Sequence, residues 1–204
     1  MYSLKGLEMN KTALLIVVSA FAGVSQATVA FSTFGPGDSY NAGTSYTIGA
    51  PGTEQDFACQ FVSAESGVLS SVELALTSIT VGDINIFLYE DNSDTIGSQM
   101  IGWGHTLNSN GIFTFNNPFP SVQLTAGNKY WLEVQPIGST MWGGWFWNDQ
   151  SINGLNHFSD VVPNDAYFTG IQSAYRVNVD AVPEPATMTV LALGALAALK
   201  RRKK

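Results

Sequence analysis

The stretch Met141-Trp142-Gly143-Gly144-Trp145-Phe146-Trp147 holds three of the chain's five tryptophans. Exposed and coplanar, such rings stack on the apolar faces of sugars, and Asn148, Asp149 and Gln150, which follow directly, supply groups that hydrogen-bond hydroxyls. In a strand, Trp145 and Trp147 share a face and Phe146 takes the other, while the two glycines permit a bulge that re-aims Trp142. Turned inward, the same rings fill a core with each indole N–H on a carbonyl, and a small sandwich needs large residues for this. The sequence thus sets a carbohydrate-stacking platform of Trp142, Trp145 and Trp147, helped by Asn148 and Asp149, against a plainer core reading.

Other candidate chemistry is thinner. Glu90-Asp91-Asn92-Ser93-Asp94, with Asp83 upstream, offers the hard oxygens that calcium takes. The spacing lacks the central Gly and terminal Glu of an EF-hand, so a solvated hairpin loop is expected, with Asp83, Glu90, Asp91 and Asp94 as a calcium alternative. His105 and His157 are far apart and belong to no zinc motif. There is no Gly-x-Ser-x-Gly elbow and no phosphate-cradling loop. Glu73, Glu90 and Glu133 could pair for glycoside hydrolysis. Glu73 and Glu133, however, sit on the polar side of alternating strands, where solvation accounts for them. No catalytic residue, resident metal or cofactor is expected, and the chain reads as a non-enzyme.

The elements that must position these groups are strands. Phe57, Cys59 and Phe61 fall on every second position, as do Val72, Leu74 and Leu76, then Ile84, Ile86 and Leu88, then Tyr130, Leu132 and Val134, then Tyr175, Val177 and Val179. This period marks strands with one buried face, and no convincing helical period falls between residues 28 and 181. Turn residues separate the runs at Gly35-Pro36-Gly37, Pro51-Gly52, Asn110-Gly111, Asn117-Pro118, Ala126-Gly127-Asn128 and Asn153-Gly154. The pattern predicts an all-β, antiparallel, jelly-roll-like sandwich of about eight strands, with helix below roughly a tenth. Val72, Leu74, Leu76, Ile86, Leu88, Leu132, Val134 and Val177 should be buried. Cys59 is the sole cysteine, so no internal disulfide forms, and its alternating place predicts a buried, inert thiol.

Charge narrows the partners. Between residues 28 and 181 the only Lys or Arg are Lys129 and Arg176, against fourteen acids. The resulting charge of about −12 repels phosphates, so nucleic acid and anionic lipid are poor partners, whereas divalent cations and neutral polymers are not excluded.

Both ends read as address labels. Met9-Asn10-Lys11, the apolar run 13–24 and Ser25-Gln26-Ala27 form a secretory signal peptide over residues 1–27, with Met9 the better start and the secretion machinery as partner. Residues 28–181 then form the domain and 182–204 the tail. Pro183 and Pro185 flank Glu184 in an extended linker. The uncharged run 186–199 would make a helix of about 21 Å, short for a bilayer core of about 30 Å. Lys200, Arg201, Arg202, Lys203 and Lys204 then stay cytoplasmic.

Val182-Pro183-Glu184-Pro185, a short apolar helix and a basic cluster with Arg201 and Arg202 together resemble the PEP-CTERM sorting tail. That resemblance implies an exosortase as partner, cleavage near Pro-Glu-Pro, membrane contact through the helix only until processing, and a Gram-negative-type bacterium that makes exopolysaccharide. A second resemblance lies in Phe34-Gly35, Asp38-Ser39-Tyr40-Asn41, Tyr46-Thr47-Ile48-Gly49, Gln55-Asp56-Phe57-Ala58, Leu74-Ala75-Leu76, Phe87-Leu88-Tyr89-Glu90-Asp91 and Leu124 to Leu132. These are similar to choice-of-anchor domains, extracellular modules with varied tails; Asp91-Asn92-Ser93-Asp94 departs from the Gly-Pro-Gly type of turn expected there. The family implies no established reaction. The expectation is an exported, exosortase-sorted protein of the envelope or exopolysaccharide matrix, structural or adhesive, with a carbohydrate-binding module as the alternative.

Overall fold

Alternating β-branched and aromatic residues favour extended backbone with one apolar face, and the chain forms strands wherever that pattern holds. The computed structural model describes residues 27–52, 54–160 and 166–181. The expected signal peptide, Pro-Glu-Pro linker, apolar helix and basic cluster lie outside the described residues.

Among the described residues there are thirteen strands and no helix: β1 (Ala27–Ser32), β2 (Asn41–Gly49), β3 (Asp56–Val62), β4 (Gly67–Thr80), β5 (Gly82–Asp91), β6 (Ile96–Leu107), β7 (Gly111–Asn116), β8 (Gln123–Leu124), β9 (Lys129–Ile137), β10 (Trp142–Trp147), β11 (Asn153–Ser159), β12 (Ala166–Ile171) and β13 (Tyr175–Ala181). The count exceeds the expected eight because some strands carry no period-two signal. The interior of β10 is buried on both faces, β12 has no buried residue, and β8 is two residues long.

All pairing is antiparallel, in two sheets. One runs β1-β13-β4-β10-β2, with β7 and β8 also on β4; the other runs β12-β11-β3-β9-β5-β6. Their facing sides enclose the core. Val72, Leu74, Leu76, Ile86, Leu88, Leu132, Val134 and Val177 all have no exposed surface, as their alternation predicts, and Cys59 joins them. Burial pushes the Cys59 thiol up to about 12.

Two local features shape the surfaces that matter below. Against β4, β10 shifts register between Trp142 and Gly143. A Cβ on Gly143 would lie 2.4 Å from the Thr77 carbonyl oxygen, so only glycine lets these backbones approach. The second feature is curl. Tyr167 on the β12 edge accepts a hydrogen bond from the Ile96 N–H, at the β6 edge, at 3.2 Å. In a flat sheet five strand spacings would part these edges by about 24 Å. The sheet and its β5–β6 turn therefore bend toward each other, and the outer face becomes a trough.

Candidate functional site

The tryptophan cluster is divided between environments. Trp145 has no exposed surface. Its ring meets Phe57 edge-on at 6.4 Å and Tyr175 at 5.4 Å, and its indole N–H donates to the Ala174 carbonyl at 3.0 Å. Trp145 therefore offers no face to a ligand, which corrects its place in the expected platform. Phe146 points the other way and stacks on Tyr40 at 5.2 Å. Trp147 is half-buried and tilted against Tyr46 at 5.3 Å. Trp142 is also half-buried, at the far end of β10, about 17 Å along the strand from Trp147.

The neighbouring polar residues divide as well. Asn148 is buried, and its amide donates to the carbonyls of Ile152 and Gln172 while Oδ1 accepts from the N–H groups of Gln150 and Ile152. It braces a loop and has no group turned to a ligand. Asp149 is exposed, and hydrogen bonds from Gln150 and Ser39 hold its carboxyl below the usual range. Trp142, Trp147 and Asp149 keep surface, but not as one platform.

The acidic loop is internally committed. Ser93 and Asp94 have φ of 56° and 65°, a pair of left-handed residues that makes the tight β5–β6 hairpin turn. Asp91 Oδ1 accepts from Gln60 Nε2 at 2.6 Å and from the Trp131 indole at 2.8 Å, and Oδ2 accepts from the Asp94 N–H at 3.1 Å. Asp94 pairs with the Lys129 ammonium, which holds its carboxyl below the usual range with help from Gln60. Glu90 is exposed. Asp83 lies at the opposite end of β5, about 26 Å from Asp91, and accepts from Thr106 Oγ1. The four acids are not brought together, and the cation beside Asp94 is a lysine.

A different group is assembled instead. Asp56 on β3, Glu133 on β9 and His157 on β11 each place one ligand atom so that all lie within 4.8 Å of one another. The register explains this. Ala58 on β3 stands opposite Glu133 on one side and His157 on the other. A methyl group leaves the space over β3 open, and the longer side chains lean across it. Asp56 lies two residues along the same face of β3.

These residues belong to the outer face, yet Ala58 and Trp131 have no exposed surface, Glu133 retains 4% and His157 6%. The trough encloses Glu133 and His157 and leaves Asp56 half-buried. Tyr167 packs 4.4 Å from the His157 ring and 5.5 Å from Trp131. The Glu133 carboxylate accepts from Gln135 Nε2 at 2.8 Å and from the Tyr89 hydroxyl. Burial raises its carboxyl above the ordinary value, against the pull of those two donors. Asp56 Oδ1 accepts from the Ser159 N–H at 3.1 Å.

The expectation that solvation accounts for Glu133 is therefore corrected: alternation gave its face rightly, but the curl shelters that face. Glu73 has a different counterpart, accepting from Arg176 at 3.0 Å and from Asn178 at 3.1 Å. An imidazole with two carboxylates can share a proton or hold a divalent cation through mixed nitrogen and oxygen ligands. Nothing local in the sequence marks this trio, because its members come from three strands far apart in the chain.

Residues 181–204 match the family described as the PEP-CTERM protein-sorting motif. The match begins at Ala181, the last residue of β13. No curated protein matches the chain. The motif marks an exported protein that an exosortase processes and that becomes anchored in the cell envelope.

Proposed function

We propose that the chain is a non-enzymatic structural or adhesive element of a Gram-negative-type cell surface or exopolysaccharide matrix, delivered there by its exosortase. The observation that carries this reading is the direct joining of the sorting motif to β13. The paths β1-β13-β4-β7 and β3-β9-β5-β6 support a jelly-roll reading of the connections. In that arrangement β13 lies between β1 and β4, with five paired positions on one side and seven on the other. Antiparallel hydrogen bonds run perpendicular to the strands. A pull through the tail acts along β13, so it shears both ladders at once and does not open them bond by bond. Such an attachment suits a component that is held and loaded at its tail.

The test is maturation in the native host. Mass spectrometry of the surface protein should find an N-terminus near Thr28 and no peptide containing Lys200 to Lys204. A variant with Glu184→Ala and Pro185→Ala should remain in the inner-membrane fraction with its tail intact. Surface protein that still carries Lys200 to Lys204 would overturn the processing and leave a plain anchor.

A carbohydrate-binding role is the second reading, favoured by the half-buried Trp147 two residues before the exposed Asp149, with the half-buried Trp142 at the other end of β10. Protection of tryptophan fluorescence from acrylamide by exopolysaccharide, lost in Trp142→Ala or Trp147→Ala, would support it. Fluorescence unmoved by any glycan would remove it.

A further inference from the structure

We propose that Asp56, Glu133 and His157 form a binding site for a divalent transition-metal ion of the zinc type. Charge balance points to a cation. Glu133 is buried and the half-buried Asp56 stands beside it, and a carboxylate withdrawn from water is costly unless hydrogen bonds and positive charge accompany it. The only Lys and Arg among the described residues are already engaged: Lys129 with Asp94, and Arg176 with Glu73 and Asp38. A divalent ion balances two carboxylates and takes the imidazole as a nitrogen ligand.

The donor set selects the kind of ion. Calcium takes about six to eight oxygens, whereas this group supplies one nitrogen and two carboxylates. Zinc accepts that mixture, and three protein ligands leave a coordination position for water or a ligand group. Bonds of about 2.1 Å put neighbouring tetrahedral ligands about 3.4 Å apart. The present spread of up to 4.8 Å would have to close to that value around a bound ion.

The surroundings fit a metal site. The Tyr89 hydroxyl and Gln135 amide orient Glu133, the Ser159 N–H orients Asp56, and Tyr167 packs on the imidazole. Gln135 and Asn85, on the side away from Tyr167, are half-buried and Gly104 is exposed, which leaves an approach to the group. A bound ion would tie β9, β3 and β11, three neighbouring strands of one sheet.

The test uses the purified full chain, stripped with EDTA and dialysed. Isothermal titration with zinc chloride should give one equivalent bound per chain, and cobalt chloride should produce a visible d–d band that zinc abolishes. Asp56→Asn, Glu133→Gln and His157→Asn should each weaken zinc binding by about tenfold or more, with Tyr89→Phe weakening it less. His105→Asn should bind as the wild type does. Calcium chloride should not compete. Absence of zinc binding at about millimolar concentration, or binding that survives both Glu133→Gln and His157→Asn, would overturn the site. Should those variants fail to fold by circular dichroism, the wild type decides. Saturating zinc must raise its melting temperature and cobalt must give the band, and failure of either overturns the site.

Discussion

Replacing Trp145 by alanine separates a core ring from a ligand platform. The side chain is wholly enclosed, so the change removes its full buried area and leaves a cavity between the sheets. Core Trp→Ala substitutions cost about 3–5 kcal/mol, a large share of the roughly 5–15 kcal/mol that stabilises a domain. For a chain of this size that is a fall in Tm of about 6–20 °C. The contacts with Phe57 and Tyr175 contribute within that figure, at about 0.5–1.5 kcal/mol each. Trp145→Phe isolates the indole N–H. The Ala174 carbonyl also accepts from the Ala75 N–H at 3.0 Å, so it keeps one partner, and the lost hydrogen bond costs about 0.5–1.5 kcal/mol. Trp142→Ala, at a half-buried ring, should cost under about 1.5 kcal/mol. Urea unfolding followed by far-UV circular dichroism reads all three, because it needs no tryptophan signal; the midpoint should fall with the slope unchanged. If Trp145→Ala lost less than about 1 kcal/mol, or less than Trp142→Ala, the core assignment would fail.

Two further outcomes follow from the same packing. Leu132→Ala or Leu74→Ala, each at a position with no exposed surface, should cost about 2–5 kcal/mol by urea unfolding; a loss within about 0.5 kcal/mol would show that the sheets do not meet there. Cys59 should resist alkylation by iodoacetamide at pH 8.5 in the native protein and react on unfolding, since burial holds the thiol up to about 12. The unfolded thiol ionises from about 9 while the native one stays protonated, so this group's contribution to stability is full below 9 and is lost as pH rises toward 12. A Cys59→Ala variant should show a shallower decline over that window, and an equal slope would contradict the shift.

The core was legible because its signal is local. Leu74, Leu132 and Val177 each sit in a period-two run, and alternation assigns them to one face without knowledge of the partner strand. The same rule put Phe146 opposite Trp145. It could not say which of the two faces beside β10 would be covered, because Gly143 and Gly144 let β4 and β2 close in on a strand with no clean alternation. Glu133 failed for a related reason. Alternation named its face, but enclosure of that face depends on Tyr167 reaching Ile96 across the width of the sheet. The Asp56, Glu133 and His157 group depends further on a small residue at Ala58, whose meaning appears only when the register sets it between Glu133 and His157. The acidic loop looked like a ligand set in sequence because Asp91 and Asp94 are close there; Trp131, Gln60 and Lys129, which occupy them, are remote.

The place of β13 between β1 and β4 also governs when the domain can fold. Thr33 Oγ1 donates to the Ser173 carbonyl across 140 positions of chain, and β1 finds its partner only in the strand that immediately precedes the sorting motif. Closing contacts of such separation must await the late segments and is slow. Until β13 is in place, β1 has no strand partner and β4 lacks one of its neighbours. Completion of this sheet therefore waits for Tyr175 to Ala181, the seven residues that run into the matched motif.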